Sequence, residues 1–273
     1  MTDDLEKRRL VAEEATRAAG AVHLKYLSST IDYEAKTDPR DVLTRADIEG
    51  QEAAKSVLRA AFPDDALIGE EDGIPVDQLL QLFETGCWLI DPLDGTQSYV
   101  HSFPAFTAGV AWVQSGTSQA GAIYDAVQDD MWSAARGHGA FWDGAPLRAP
   151  PGKPLKDCMV GLHIREVEGG AADIFLRTTG NVVMKSHGIR ILGCPMLSMA
   201  YVACGRMDAF AMLSPAKLGP WDLAPSLVVL EEAGGVVAEG VAGGPLQWTD
   251  RAISGATTKA LLGELYAVAR GES

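Results

Sequence analysis

No apolar run in the sequence comes near the roughly 18 residues that crossing a bilayer requires, so a membrane-spanning role is excluded. There is no CxxC pair, no GxSxG elbow and no dinucleotide glycine fingerprint, which removes zinc-ribbon, serine-hydrolase and Rossmann readings. The four cysteines, Cys87, Cys158, Cys194 and Cys204, are far apart in apolar stretches and read as buried thiols of a reducing compartment. Positive charge is also scarce: 23 bases stand against 37 acids, a formal net charge of −14. Such a surface repels nucleic acid and anionic lipid, so neither is expected as a partner. An anionic substrate needs local positive charge, which bound divalent cations would supply. The acidic start Met1-Thr2-Asp3-Asp4 is unlike a signal peptide, and a cytoplasmic location is expected.

What is present is a chain of 273 residues, 47% of them hydrophobic, enough for an extensive core. Helical spacing of Val11, Ala15, Ala18, Val22 and Tyr26 predicts a helix over 5–27, and Ala54, Val57, Leu58 and Ala61 predict another over 46–62, stopped by Pro63. A short strand at 31–36 and a polar loop through 38–41 lie between them. Cys87-Trp88-Leu89-Ile90 reads as a strand buried on both faces. Strands are then expected at 106–113, 120–125 and 131–135, with a tight turn at Asp143-Gly144. The second half alternates: strands at 158–162, 188–192, 208–212 and 236–238, and helices at 171–178, 195–203, 222–233 and 259–269. The fold class is therefore α+β with an α/β second lobe, divided near Pro150-Pro151-Gly152 into residues 1–150 and 151–273.

Three carboxylate clusters stand out. Gly69-Glu70-Glu71-Asp72-Gly73 follows a short apolar strand and, alone, reads as a solvated acidic turn. Trp88-Leu89-Ile90-Asp91-Pro92-Leu93-Asp94-Gly95-Thr96 is more informative. An apolar strand delivers Asp91 at its C-terminal end, and Asp94 follows three residues later. Two carboxylates flanking the Leu93 carbonyl are hard oxygen ligands suited to Mg²⁺, and Gly95-Thr96 offers free N–H groups at a helix start. Turn and N-cap roles are the alternative, but acids beside a buried strand are costly without a cation. Trp221-Asp222-Leu223-Ala224 opens a helix, where Asp222 by itself would pass for an N-cap; Thr44-Arg45-Ala46-Asp47 has the pattern of a capping box. His101, His138, His163 and His187 lack metal-ligand spacing and read as structural.

Together these pieces resemble the inositol monophosphatase family of the lithium-sensitive, magnesium-dependent phosphatase superfamily. The resemblance runs from Asp47 through Gly-Glu-Glu-Asp at 69–72, the motif at 88–96 and His101 with Phe103-Pro104, to Trp-Asp-Leu-Ala at 221–224 and Glu-Ala-Gly-Gly at 232–235. It implies a layered α-β-α-β-α sandwich of the sugar-phosphatase type, working as a lithium-sensitive homodimer. Glu70, Asp91 and the Leu93 carbonyl would hold one Mg²⁺, and Asp91, Asp94 and Asp222 a second, with Glu70 and Glu71 near a third. Thr96 paired with Asp47 would activate water, and the Gly95 and Thr96 amides would hold the phosphate. Gly193 and Cys194 would face the alcohol part of a small phosphorylated substrate.

The sequence departs from the family where substrate is chosen. Met212 stands where members preferring inositol phosphate carry an acid, the segment 214–220 is longer, Gln97-Ser98 replaces Thr-Asn, and Pro225 replaces a small residue. The expected reaction is hydrolysis of an inositol phosphate or related sugar or polyol phosphate. Histidinol phosphate, fructose bisphosphate and adenosine 3′,5′-bisphosphate are the alternatives, the last wanting basic groups such as Lys185, Arg190 or Lys217. A protein-binding regulatory role is the reading of a different class.

Overall fold

The computed structural model describes residues 2–27, 31–36, 42–163, 171–213, 218–240, 243–250 and 252–272. The loop expected at 38–41 and most of the longer segment before Trp221, including Lys217, lie outside the described residues.

The chain opens with α1 (Thr2–Leu27), then the antiparallel pair β1 (Tyr33–Ala35) and β2 (Val42–Thr44), and α2 (Arg45–Ala61). Thr44 ends β2 and caps α2, so the strand hands directly over to the helix. Next come β3 (Ala66–Gly69), α3 (Val76–Thr85), β4 (Cys87–Asp94), α4 (Thr96–Val100) and the strands β5 (Thr107–Gln114), β6 (Thr117–Asp125), β7 (Asp130–Ala135), β8 (Gly139–Trp142) and β9 (Ala145–Leu147). These seven strands form one sheet in chain order, antiparallel except for the parallel pair β3–β4. Helix α3 was not expected from the sequence. Its buried Leu79 and Phe83 lie four apart against Leu89 and Ala111, a stripe too short to stand out beside the acidic turn before it.

The rest of the chain gives β10 (Met159–Leu162), α5 (Ala171–Lys185), β11 (Gly188–Arg190), α6 (Pro195–Ala203), β12 (Ala209–Ala211), α7 (Pro220–Glu232), β13 (Val236–Glu239), β14 (Ile253–Ala256) and α8 (Lys259–Arg270). A second sheet has the order β11-β10-β12-β14-β13, parallel through its first three strands and antiparallel beyond. One expectation is corrected here, and one strand is added. Helix α5 continues past 178 to Lys185, because Val182 is buried and the Asn181 side chain donates to the Ala269 carbonyl of α8 at 3.2 Å. The buried strand β14, Ile253-Ser254-Gly255-Ala256, has too little apolar bulk to read as a strand.

The layers follow from which faces are apolar. Val11, Ala12 and Ala15 of α1 and Ala54 and Leu58 of α2 cover one face of the large sheet over Trp88, Ile90, Val110 and Trp112. Its other face meets α6 and α7 through Met196, Leu223, Leu227 and Val228 against Ile123, Trp132 and Ala134. Those helices also line the second sheet, whose far side is closed by Val182 of α5 and Leu261, Leu262 and Leu265 of α8. This is the five-layer α-β-α-β-α sandwich. Among the described residues no helix is long and apolar enough to cross a membrane.

Candidate active site

The site forms where β4 ends. Its eight residues are all buried, so the strand can carry carboxylates only at a place where they find partners. The pairing of β4 with β5 shifts between Asp91 and Asp94, at Pro92, which has no N–H to give the ladder. The bulge turns Asp91, Leu93 and Asp94 toward a cleft lined by Val42, Glu70, Gly95, Thr96, Gln97, Ser98, His163, Gly193, Pro195, Leu218 and Asp222. Carboxylate oxygens of Asp91, Asp94 and Asp222 lie within 4.8 Å of one another, although Asp222 comes from α7 in the other half of the chain.

Each acid is held in a definite way. Asp91 accepts the Leu93 amide on Oδ1 at 3.0 Å, while its fully buried Oδ2 has no hydrogen-bond partner. Burial, then the charges of Glu70, Asp222 and Asp94, push its pKa well above the usual carboxylate range. Glu70 begins a short 3-10 turn after β3, brought beside Asp91 by the parallel register of Gly69 with Ile90. Burial and the Asp222 charge push it up to about 8, against the opposing pull of Lys36. Lys36 Nζ lies 3.1 Å from Glu70 and 2.8 Å from Glu71. Asp72, in contrast, is structural: it accepts the Gly69 amide at 2.8 Å and pairs with Lys55 at 2.6 Å.

Asp222 is the third residue of α7 rather than its N-cap, and its Oδ2 accepts the Gly219 amide at 2.6 Å. Asp47 occupies the same place in α2, its Oδ2 accepting the Thr44 amide at 2.7 Å. The capping box read from the sequence is therefore real, yet Oδ1 of the same carboxylate accepts the Thr96 hydroxyl at 3.2 Å. Burial takes Asp47 up to about 6, with the Thr44 hydrogen bonds opposing the rise. Thr96 Oγ1 also lies 2.9 Å from the Leu93 carbonyl. Gly95 caps α4 at φ 89°, where a Cβ would stand 2.6 Å from the Ala105 carbonyl, so only glycine fits.

Gly193 lines the cleft, tied to α4 through Ser98, whose hydroxyl donates to the Leu192 carbonyl at 3.2 Å. Cys194 is placed differently: it is 1% exposed, and its thiol turns inward to Asp94 Oδ2 at 2.9 Å. Burial, reinforced by the Asp94 charge, pushes that thiol well above its ordinary pKa. Met212 is fully buried between the second sheet and α7 and does not reach the cleft.

Two histidines are placed otherwise than the sequence indicated: His163, read as structural, faces the cleft, and His23 had not been singled out. His163 follows β10 and lines the cleft, at a strand end like that of Asp91, which is the signal that would have found it. His23 is buried in α1 with Nε2 2.7 Å from the Pro92 carbonyl, so it braces the bulge from behind. Burial pushes its pKa down to about 4. Nothing local in α1 marks it.

The sequence profile described as the inositol monophosphatase family matches residues 4–272. Inositol monophosphatase 1 of Sus scrofa is 29% identical over 266 residues, covering 96% of this chain and 93% of that protein. Fructose-1,6-bisphosphatase/inositol-1-monophosphatase of Thermotoga maritima is 30% identical over 229 residues, covering 82% and 81%. The crystal structure of the extragenic suppressor protein suhB of Bartonella henselae superposes with a TM-score of 0.85 at 26% identity, covering 95% of this chain and 97% of that one. The chain belongs to the inositol monophosphatase family, a family of phosphoric monoester hydrolases acting on small phosphate esters.

Proposed function

We propose that this protein hydrolyses a sugar or polyol phosphate such as an inositol phosphate, using two or three Mg²⁺ ions held by Glu70, Asp91, the Leu93 carbonyl, Asp94 and Asp222. The observation that carries the reading is the meeting of Asp91, Asp94 and Asp222 within 4.8 Å, around a buried Asp91 oxygen that has no hydrogen-bond partner. Such an oxygen is costly in a protein interior unless a cation faces it. The donors are all carboxylate or carbonyl oxygens, which suits a hard dication. When bound, Mg²⁺ would lower the pKa of an attacking water and neutralise charge on the phosphoryl oxygens.

The chain's own groups then have defined tasks. Thr96 Oγ1 orients the attacking water and passes a proton toward Asp47 Oδ1, which is anchored through Oδ2 to Thr44 and cannot swing away. With its pKa raised to about 6, the Asp47 carboxylate is a better acceptor than an ordinary aspartate. The amides at the Gly95–Thr96 turn hold the phosphate. Gly193, Pro195, His163 and Leu218 surround the alcohol part, and the Gln97 and Ser98 side chains and the His163 imidazole offer polar groups for the hydroxyls of a sugar or polyol. A panel of phosphate monoesters assayed for phosphate release with and without Mg²⁺ tests this; the reading fails if no ester is hydrolysed with Mg²⁺ present.

A further inference from the structure

We propose that Cys194 is a positioning residue: its thiol and the first free amide of α6 together set the orientation of the Asp94 carboxylate toward the metal centre, an inference that rests on the metal reading above. Asp47 and Asp222 are each oriented by an amide just before their own helix, Thr44 and Gly219. Asp94 has no such helix. It ends β4 beyond the bulge, and α4 begins two residues later without using its side chain as a cap. It is held instead by a helix 102 residues away: Met196 N–H donates to Asp94 Oδ2 at 2.7 Å.

The sequence of α6 explains why that amide is available. Pro195 at the first helical position has no N–H, and Cys194 at the N-cap makes no side-chain bond to its own helix. Met196 therefore offers the leading amide, and the positive end of a nine-residue helix meets a carboxylate. The Cys194 thiol donates to the same oxygen at 2.9 Å and lies 3.4 Å from the Asp94 carbonyl. Thr107 Oγ1, whose residue pairs with Asp94 across β4–β5, holds the sulfur from the other side at 3.5 Å. Two donors converging on Oδ2 fix the plane of the carboxylate and hence the direction of Oδ1. At 1% exposure the thiol is sealed from the cleft, so its effect reaches the reaction only through Asp94. Removing partners of this kind costs metal affinity rather than fold, because the ligand remains but wanders.

The test is calorimetric titration of Mg²⁺ into the full chain, wild type against Cys194→Ala, Cys194→Ser and Asp94→Asn, with metal-free melting curves for each. Cys194→Ala should bind Mg²⁺ at least about tenfold more weakly, and Cys194→Ser, which keeps a donor, should recover to within about threefold of wild type. Equal impairment of the Ser and Ala variants would overturn the proposal, since volume rather than hydrogen bonding would then matter. Wild-type affinity in Cys194→Ala beside weakened Asp94→Asn overturns it while leaving Asp94 a ligand. Wild-type affinity in Asp94→Asn removes the ligand reading and this proposal with it. If Cys194→Ala does not fold, Cys194→Val takes its place against Cys194→Ser under the same criteria.

Discussion

The hydroxyl of Thr96 lies 3.2 Å from Asp47 Oδ1, a link across 49 residues that joins the first turn of α4 to the first turn of α2. One carboxylate thus caps the helix through Oδ2 and accepts the Thr96 hydroxyl through Oδ1, the oxygen proposed to take the proton. Asp47→Asn keeps the shape and can still accept on its amide oxygen, but it loses the basicity. It should lower kcat by about a hundredfold or more with Mg²⁺ affinity unchanged. Stopped-time phosphate release and Mg²⁺ titration together check this. Because the group must be ionised to accept a proton, the wild-type rate should fall as pH drops through the Asp47 pKa, which burial raises to about 6 in the metal-free protein and which bound Mg²⁺ would lower.

Asp222 reaches the cluster from α7, held by the Gly219 amide. Asp222→Asn and Asp94→Asn should each cost at least about a hundredfold in rate at fixed Mg²⁺, because each removes charge from the proposed ligand set. Assay over a Mg²⁺ series checks this: near-normal rates at low Mg²⁺ would contradict the assignment.

Chelation should abolish activity while leaving far-ultraviolet circular dichroism unchanged, since the cores that hold the layers together are built from apolar side chains. The metal-free protein carries acids whose folded pKa values lie above their ordinary ones, Glu70 at about 8 among them. A group raised in this way binds protons more tightly folded than unfolded. Stability of the metal-free protein should therefore rise as pH falls through about 8, and Mg²⁺ should raise the melting temperature most at higher pH.

His23 has the opposite sign. Its folded pKa is about 4 against an ordinary 6.5, so between these values the unfolded chain takes up a proton that the folded one does not. The stability it contributes is complete above about pH 6.5 and shrinks as pH falls, by about 3 kcal/mol at pH 4. His23→Phe should lose stability at pH 7, where the bond to the Pro92 carbonyl is missed, yet differ less from wild type at pH 4.5. Urea unfolding of both proteins at the two pH values measures this double difference, in which other titrating groups cancel.

Much of this was legible because the acids sit at element ends. Asp91 follows an unbroken apolar run, and Asp222 opens a helix whose apolar residues are dense, so both strand and helix could be placed. The helix at 195–203 matched α6 residue for residue. What stayed hidden depends on contacts between distant segments. β14 is a strand because β12 and β13 flank it, and α5 is long because α8 supports its second half. The inward turn of Cys194 could not be read either, since its partner Asp94 lies 100 residues earlier. His23 is in the same position, its role set by a proline carbonyl on another element.

Asp91 and Asp94 from the first half of the chain meet Asp222 from the second, an arrangement proposed to hold cations. A crystal of the full chain soaked in Mn²⁺, with anomalous difference density calculated at the manganese edge, tests it most directly. Peaks are expected within coordination distance of Asp91, Asp94 and Asp222. A well-ordered cleft without a peak there would contradict the proposal.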